Sequence, residues 1–144
     1  MTKFESSVYD CEILSLKKIH NRAGNITIIE GQKNLPFKVR RIYYLYDIPA
    51  GESRGGHAHK NLKQLIIAAS GSFDVLLDDG QNKKIVTLNR PDYGLIVVPG
   101  IWRELLGFSS GAICLVLASN LYDEKDYIRK YDEFINYKIK INGN

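Results

Sequence analysis

Two histidines two residues apart, His57 and His59, stand in a chain that holds three histidines in all. If their stretch is a strand, both imidazoles project from one face, because strand side chains alternate. An imidazole gives or takes a proton near neutrality, its unperturbed pKa being about 6.5. Two of them side by side suit adjacent atoms of one small substrate. Arg54 and Arg103 add permanent cations that can hold a phosphate or a developing oxyanion through charge-assisted hydrogen bonds. Gln64 is placed to bond an imidazole and set its tautomer. The plainer reading of the pair is structural, as satisfied core groups or exposed strand residues. His20, beside Asn21 and Arg22, reads as a solvated loop residue.

The elements that must position these groups read as short strands. Residues 11–16, 24–30, 40–46, 56–59, 64–70, 71–77, 84–88, 94–98, 102–107 and 112–119 are rich in Val, Ile, Tyr and Leu, with Gly, Pro, Asn and Asp between them. Asp78-Asp79-Gly80-Gln81 is a tight-turn sequence, and Ser70-Gly71 reads as a bend or bulge within a long strand pair. Residues 60–63 form a turn that returns Gln64 towards the histidines. Regular strands at this spacing point to a sandwich or barrel. On the strand over 40–46, Arg41 and Tyr43 share a face, whereas Tyr44 points the other way and is expected in the core. Residues 123–138 differ: Asp123 can cap a helix, and Tyr127, Ile128, Tyr131 and Phe134 or Ile135 recur at helical spacing.

The bulk properties set limits. The 144 residues fit one domain over 1–144, with 44% hydrophobic and 25% charged residues, as in ordinary globular proteins. The net charge of +4 is spread along the chain with no run of five Lys or Arg, which suits a small acidic ligand and argues against a nucleic-acid partner. Cys11 and Cys114 lie far apart and form neither a disulfide framework nor a zinc knuckle. With no signal-peptide pattern and no apolar stretch of spanning length, the expected location is the cytoplasm, with no membrane contact.

The stretch Gly51–Gly71, followed by Gly94–Arg103, resembles the two cupin motifs in spacing. In metal-binding cupins a Glu and a third His complete the ligand set; here those positions are Gln64 and Arg103. An arginine repels a metal ion, and an amide removes the anionic ligand, so no metal or other cofactor is expected. A narrower resemblance rests on Pro36–Tyr44, Arg54–Lys60, Leu62-Lys63-Gln64, Leu117-Ala118-Ser119 and Tyr122–Arg129. These words are similar to those of the dTDP-4-keto-6-deoxyglucose 3,4-ketoisomerases. That resemblance implies an all-β, cupin-type antiparallel β-barrel or jelly roll with a C-terminal helix. It also implies a homodimer acting on a dTDP-linked 4-keto-6-deoxysugar, in a route to a 3-amino-3,6-dideoxysugar of surface polysaccharide.

For that reaction a base removes the C3 hydrogen, an enediol forms, and a proton is delivered to C4. His57 and His59 are the catalytic candidates, with His59 set at carbon and His57 at oxygen, although the sequence does not orient the sugar. Arg41, Tyr43, Arg54, Gln64 and Arg103 are the candidates for binding substrate. Arg103 implies a gluco-type product, although Ala23 stands where a bulkier Tyr or Arg would be its usual companion. An N-terminal strand over 7–16 is expected to cross to the partner and cover a sheet edge. Three other functions stay open: a non-catalytic sugar-nucleotide-binding cupin, a metal-dependent cupin, and a dTDP-sugar 3,5-epimerase. The last would need a His–Tyr pairing that the sequence does not display.

Overall fold

The computed structural model describes residues 5–141. In chain order the elements are β1 (Ile13–Ser15), β2 (Lys17–Asn21), β3 (Gly24–Ile28), β4 (Arg41–Leu45), β5 (Arg54–His59) and β6 (Gln64–Ser70). They continue with β7 (Phe73–Asp78), β8 (Lys83–Leu88), β9 (Tyr93–Val97), β10 (Trp102–Leu106), β11 (Ile113–Ala118), β12 (Tyr127–Ile128) and α1 (Tyr131–Ile141). One five-stranded sheet has the order β1-β9-β6-β11-β4, a second the order β12-β5-β10-β7-β8, and β2-β3 form a separate hairpin. All these pairings are antiparallel. The two sheets face each other as a jelly roll and do not close into a barrel.

Alternation along the strands explains the layers. Ile66, Ala68, Leu95, Val97, Cys114 and Val116 of the first sheet meet Phe73, Val75, Leu77 and Leu105 of the second in the central core. The outer face of the first sheet, with Leu65, Ile67, Ile96 and Leu117, is covered by Leu16, Leu35 and Phe37. On the outer face of the second, Ala58 and Trp102 pack against Ile128 and Phe134, so α1 closes that side. Burial on two faces accounts for the unbroken apolar run of β6. Among the described residues no helix is long and apolar enough to cross a membrane.

Several expectations change. Residues 123–138 are not one helix: a 3₁₀ turn over Glu124–Asp126, capped by Asp123, leads into β12, and α1 starts only at Tyr131. Pairing of Tyr127 and Ile128 with His59 and Ala58 outweighs the helical spacing that these residues also satisfy. Ser70-Gly71 lies at a corner between the sheets, since β6 and β7 belong to different ones. Gly71 turns it with a φ of 69° that favours glycine. Tyr44 is 60% exposed, because β4 is an edge strand whose outward face is left uncovered among the described residues. His20 belongs to β2, where its Nδ1 meets the Asn25 side chain. Within the chain, Val8, Cys11 and Leu16 of the segment over 7–16 are buried and β1 pairs with β9.

Candidate active site

The central layer turns polar at one end. His57 and His59 point inward from β5 while Ala58 between them faces α1, so the i, i+2 spacing does put both rings on one face. β5 carries one extra residue opposite β10, where the register slips between Arg103↔His57 and Leu105↔Arg54. Gly55 provides this bulge with a φ of 74°, and a Cβ there would stand 2.5 Å from Arg103 Nη1. Glycine is therefore what lets the guanidinium lie against the strand.

Arg103 is only 2% exposed. Its Nε donates to Gln64 Oε1 at 2.7 Å and its Nη2 to the Tyr43 hydroxyl at 3.1 Å. Gln64 Nε2 also donates to that hydroxyl, at 3.1 Å. With two donors on its oxygen, the Tyr43 proton is left to be given elsewhere. No carboxylate pairs with Arg103 among the described residues, and its buried Nη1 has no hydrogen-bond partner there. A buried cation without an anion is costly, so it marks a place where ligand charge is wanted.

The imidazoles make a chain. Nε2 of His57 and Nε2 of His59 are 3.1 Å apart, and His59 Nδ1 lies 3.0 Å from Asp126 Oδ2. Burial first, then the Arg103 guanidinium, pushes both rings below the ordinary histidine range; for His59 the Asp126 bond opposes this. Both rings are thus neutral at pH 7. Burial raises the Tyr43 phenol, with Arg103 acting against it. Gln64 lies at 3.5 Å from His59 Nε2, a long contact, so Asp126 and not Gln64 sets the His59 tautomer.

A cavity of about 310 Å³ opens over this layer, lined by Arg41, Tyr43, Arg54, Gly55, His57 and Arg103 together with Leu45, Tyr127 and Arg129. Of the seven candidates read from sequence, five line it, and His59 and Gln64 lie behind, buried. Asp126, Tyr127 and Arg129 were missed because their segment reads as helix. Tyr127 stands opposite His59 across the β5–β12 ladder, its ring centroid 4.4 Å from His59 and 5.0 Å from His57. A His–Tyr neighbourhood therefore exists. Its hydroxyl accepts from Arg41 Nη2 at 3.3 Å, and Arg129 stacks on its ring at 4.2 Å. Arg129 in turn grips Glu124 at 2.7 and 2.8 Å, and these bonds hold the Glu124 carboxyl down at about 2.

Neutral acid–base groups beside several guanidiniums suit proton shuffling on an anionic substrate, and comparison with known proteins says which. Residues 9–139 match the family described as FdtA: WxcM-like, C-terminal. A TDP-4-oxo-6-deoxy-α-D-glucose-3,4-oxoisomerase of Aneurinibacillus thermoaerophilus is 46% identical over 131 residues, covering 91% of this chain and 94% of the relative. The chain belongs to the sugar 3,4-ketoisomerases. Among solved members, the WlaRB TDP-quinovose 3,4-ketoisomerase of Campylobacter jejuni is 46% identical with a TM-score of 0.85, over 90% of this chain and 99% of that one. QdtA of Thermoanaerobacterium thermosaccharolyticum, solved with TDP, is 40% identical with a TM-score of 0.90, over 93% and 98%.

Proposed function

We propose that this ketoisomerase moves the ketone of a dTDP-linked 4-keto-6-deoxyglucose from C4 to C3, using its imidazole pair as acid and base and no cofactor. The observation that carries the reading is the buried, uncompensated Arg103 beside two neutral imidazoles at the floor of the cavity. The base takes the C3 hydrogen, and its electron pair forms the C3–C4 double bond while charge moves to O4. Arg103 and the Tyr43 hydroxyl face the place where such charge develops. The base gives that proton up to solvent, the imidazole pair then relays the O3 proton to O4, C4 takes a solvent proton on the face opposite the base, and the ketone stands at C3.

His57 lines the cavity and His59 sits one hydrogen bond behind it, which favours His57 as the base at carbon and reverses the order taken from sequence. Arg41, Arg54 and Arg129 surround the mouth and suit the diphosphate. Arg103 supports a gluco-type C4 centre, and a 3-keto product is what a 3-amino-3,6-dideoxysugar requires. The test is product identification by NMR after incubation with dTDP-4-keto-6-deoxyglucose in deuterated water. The reading requires a 3-keto sugar with the C4 hydroxyl in gluco configuration and deuterium at C4. Nucleotide binding without a shifted ketone would make the protein a binding module instead.

Homodimerisation is part of the same reading. The β2–β3 hairpin joins neither sheet, leaves Ile19 and Ile26 exposed, and an isolated hairpin is marginal in water. Ile42 and Tyr44 of β4, and Tyr46 just past its end, are equally bare. Light scattering should give twice the chain mass, and Ile26→Asp should shift it towards monomer.

A further inference from the structure

Asp126 touches no part of the cavity, yet it is the most heavily bonded carboxylate near the imidazole pair. Its Oδ1 accepts from the Asn61 backbone N–H at 2.7 Å. Its Oδ2 accepts from His59 Nδ1 at 3.0 Å and from the Leu62 N–H at 3.3 Å. Its backbone carbonyl takes the Lys60 N–H at 3.0 Å, so the 3₁₀ turn is clamped to the loop that follows β5. The carboxylate is fixed by two backbone N–H groups, and its own backbone by a third, before it meets the ring.

We propose that Asp126 is a positioning residue that sets the protons on both imidazoles and thereby makes His57 Nδ1 the base. A carboxylate only accepts, so His59 carries its proton on Nδ1 and its lone pair on Nε2. The Nε2–Nε2 contact of 3.1 Å then needs a donor, and only His57 can provide it. His57 is protonated on Nε2, and its lone pair is on Nδ1. Among the described residues no protein group bonds that atom, and its ring lines the cavity. The order of three groups, carboxylate to imidazole to imidazole, carries a fixed hydrogen-bond direction towards the substrate. When His57 takes a proton on Nδ1, the new imidazolium keeps its Nε2–H on His59, which Asp126 holds in the accepting tautomer.

This inference rests on the ketoisomerase reading, and Asp126→Asn separates the two. The amide keeps the shape; its oxygen stays on the Asn61 N–H at 2.7 Å, the shorter of the two backbone bonds, so the NH₂ gives up the longer Leu62 bond at 3.3 Å and faces His59 Nδ1. That reverses both rings: His59 becomes protonated on Nε2 and donates to His57, whose proton is then on Nδ1. The expected result is a loss of kcat of about 10²–10⁴-fold, the contribution of a general base, with KM little changed. In ring-nitrogen NMR the unprotonated atom of His59 should move from Nε2 to Nδ1, and that of His57 from Nδ1 to Nε2. The wild-type spectrum is decisive by itself and needs no stable variant: a proton on His59 Nε2 overturns the proposal. So does an Asp126→Asn enzyme that loses kcat with unchanged tautomers, or one that keeps wild-type kcat. If the wild-type protein shifts no ketone, the functional reading fails, while the spectrum still decides the proton positions.

Discussion

The two ends of the space between the sheets are built from the same strands and have opposite character. On β10, Arg103 points inward at one end and Leu105 two residues on; on β6, Gln64 is followed by Ile66 and Ala68; on β4, Arg41 and Tyr43 give way to Leu45. The dry end is filled by Phe73, Val75, Leu88 and Cys114, where burial pushes the Cys114 thiol up to about 12. The polar end holds a buried guanidinium, an amide and two imidazoles that satisfy one another incompletely. One end supplies stability, and the other spends some of it on chemistry.

Substitutions at the two ends should separate these roles. The largest effect belongs to His57→Asn, which should lower turnover by about 10²–10⁴-fold while nucleotide binding, followed by calorimetry, persists. Loss of binding in step with turnover would mean that the ring is a scaffold. At the dry end, Phe73→Ala should cost about 3–5 kcal/mol of unfolding free energy in urea and leave kcat/KM near wild type. A matching loss of activity would show that the two ends are mechanically coupled.

The smallest effect concerns pH. The fold keeps both imidazoles neutral below the ordinary histidine pKa, so below about pH 6.5 the unfolded chain binds more protons than the native one. Their contribution is therefore complete above about pH 6.5 and declines as pH falls, by at most about 1.4 kcal/mol per unit for each ring. His57→Asn should flatten the decline of stability between about pH 7 and pH 5, read from urea midpoints, because it removes one of the two rings. Identical slopes would mean that the rings titrate alike in both states.

The strands, the tight turn at Asp78–Gln81 and the shared face of His57 and His59 were legible because each depends on a local pattern of period two or on turn chemistry. So were Arg41, Tyr43, Arg54 and Arg103, whose types announce charge or hydrogen bonding near the pair. Asp126, Tyr127 and Arg129 were not. Their apolar spacing fits a helix, and only the chance to pair with the free edge of β5, a contact distant in sequence, makes that stretch a strand. Tyr44 was misplaced for the converse reason: alternation says which residues share a face, not whether anything covers that face.

The extra residue at Gly55 has a consequence for how this strand can be read. Arg54 and His57 are an odd number of positions apart, so on a regular strand they would point to opposite sides, yet both line the cavity. The bulge works as a comma that resets the phase of everything before it. A change that straightened the strand without removing a residue would leave the histidines where they are and turn Arg54 out to solvent. A sequence comparison blind to that comma would align the arginine correctly and still misjudge what it faces.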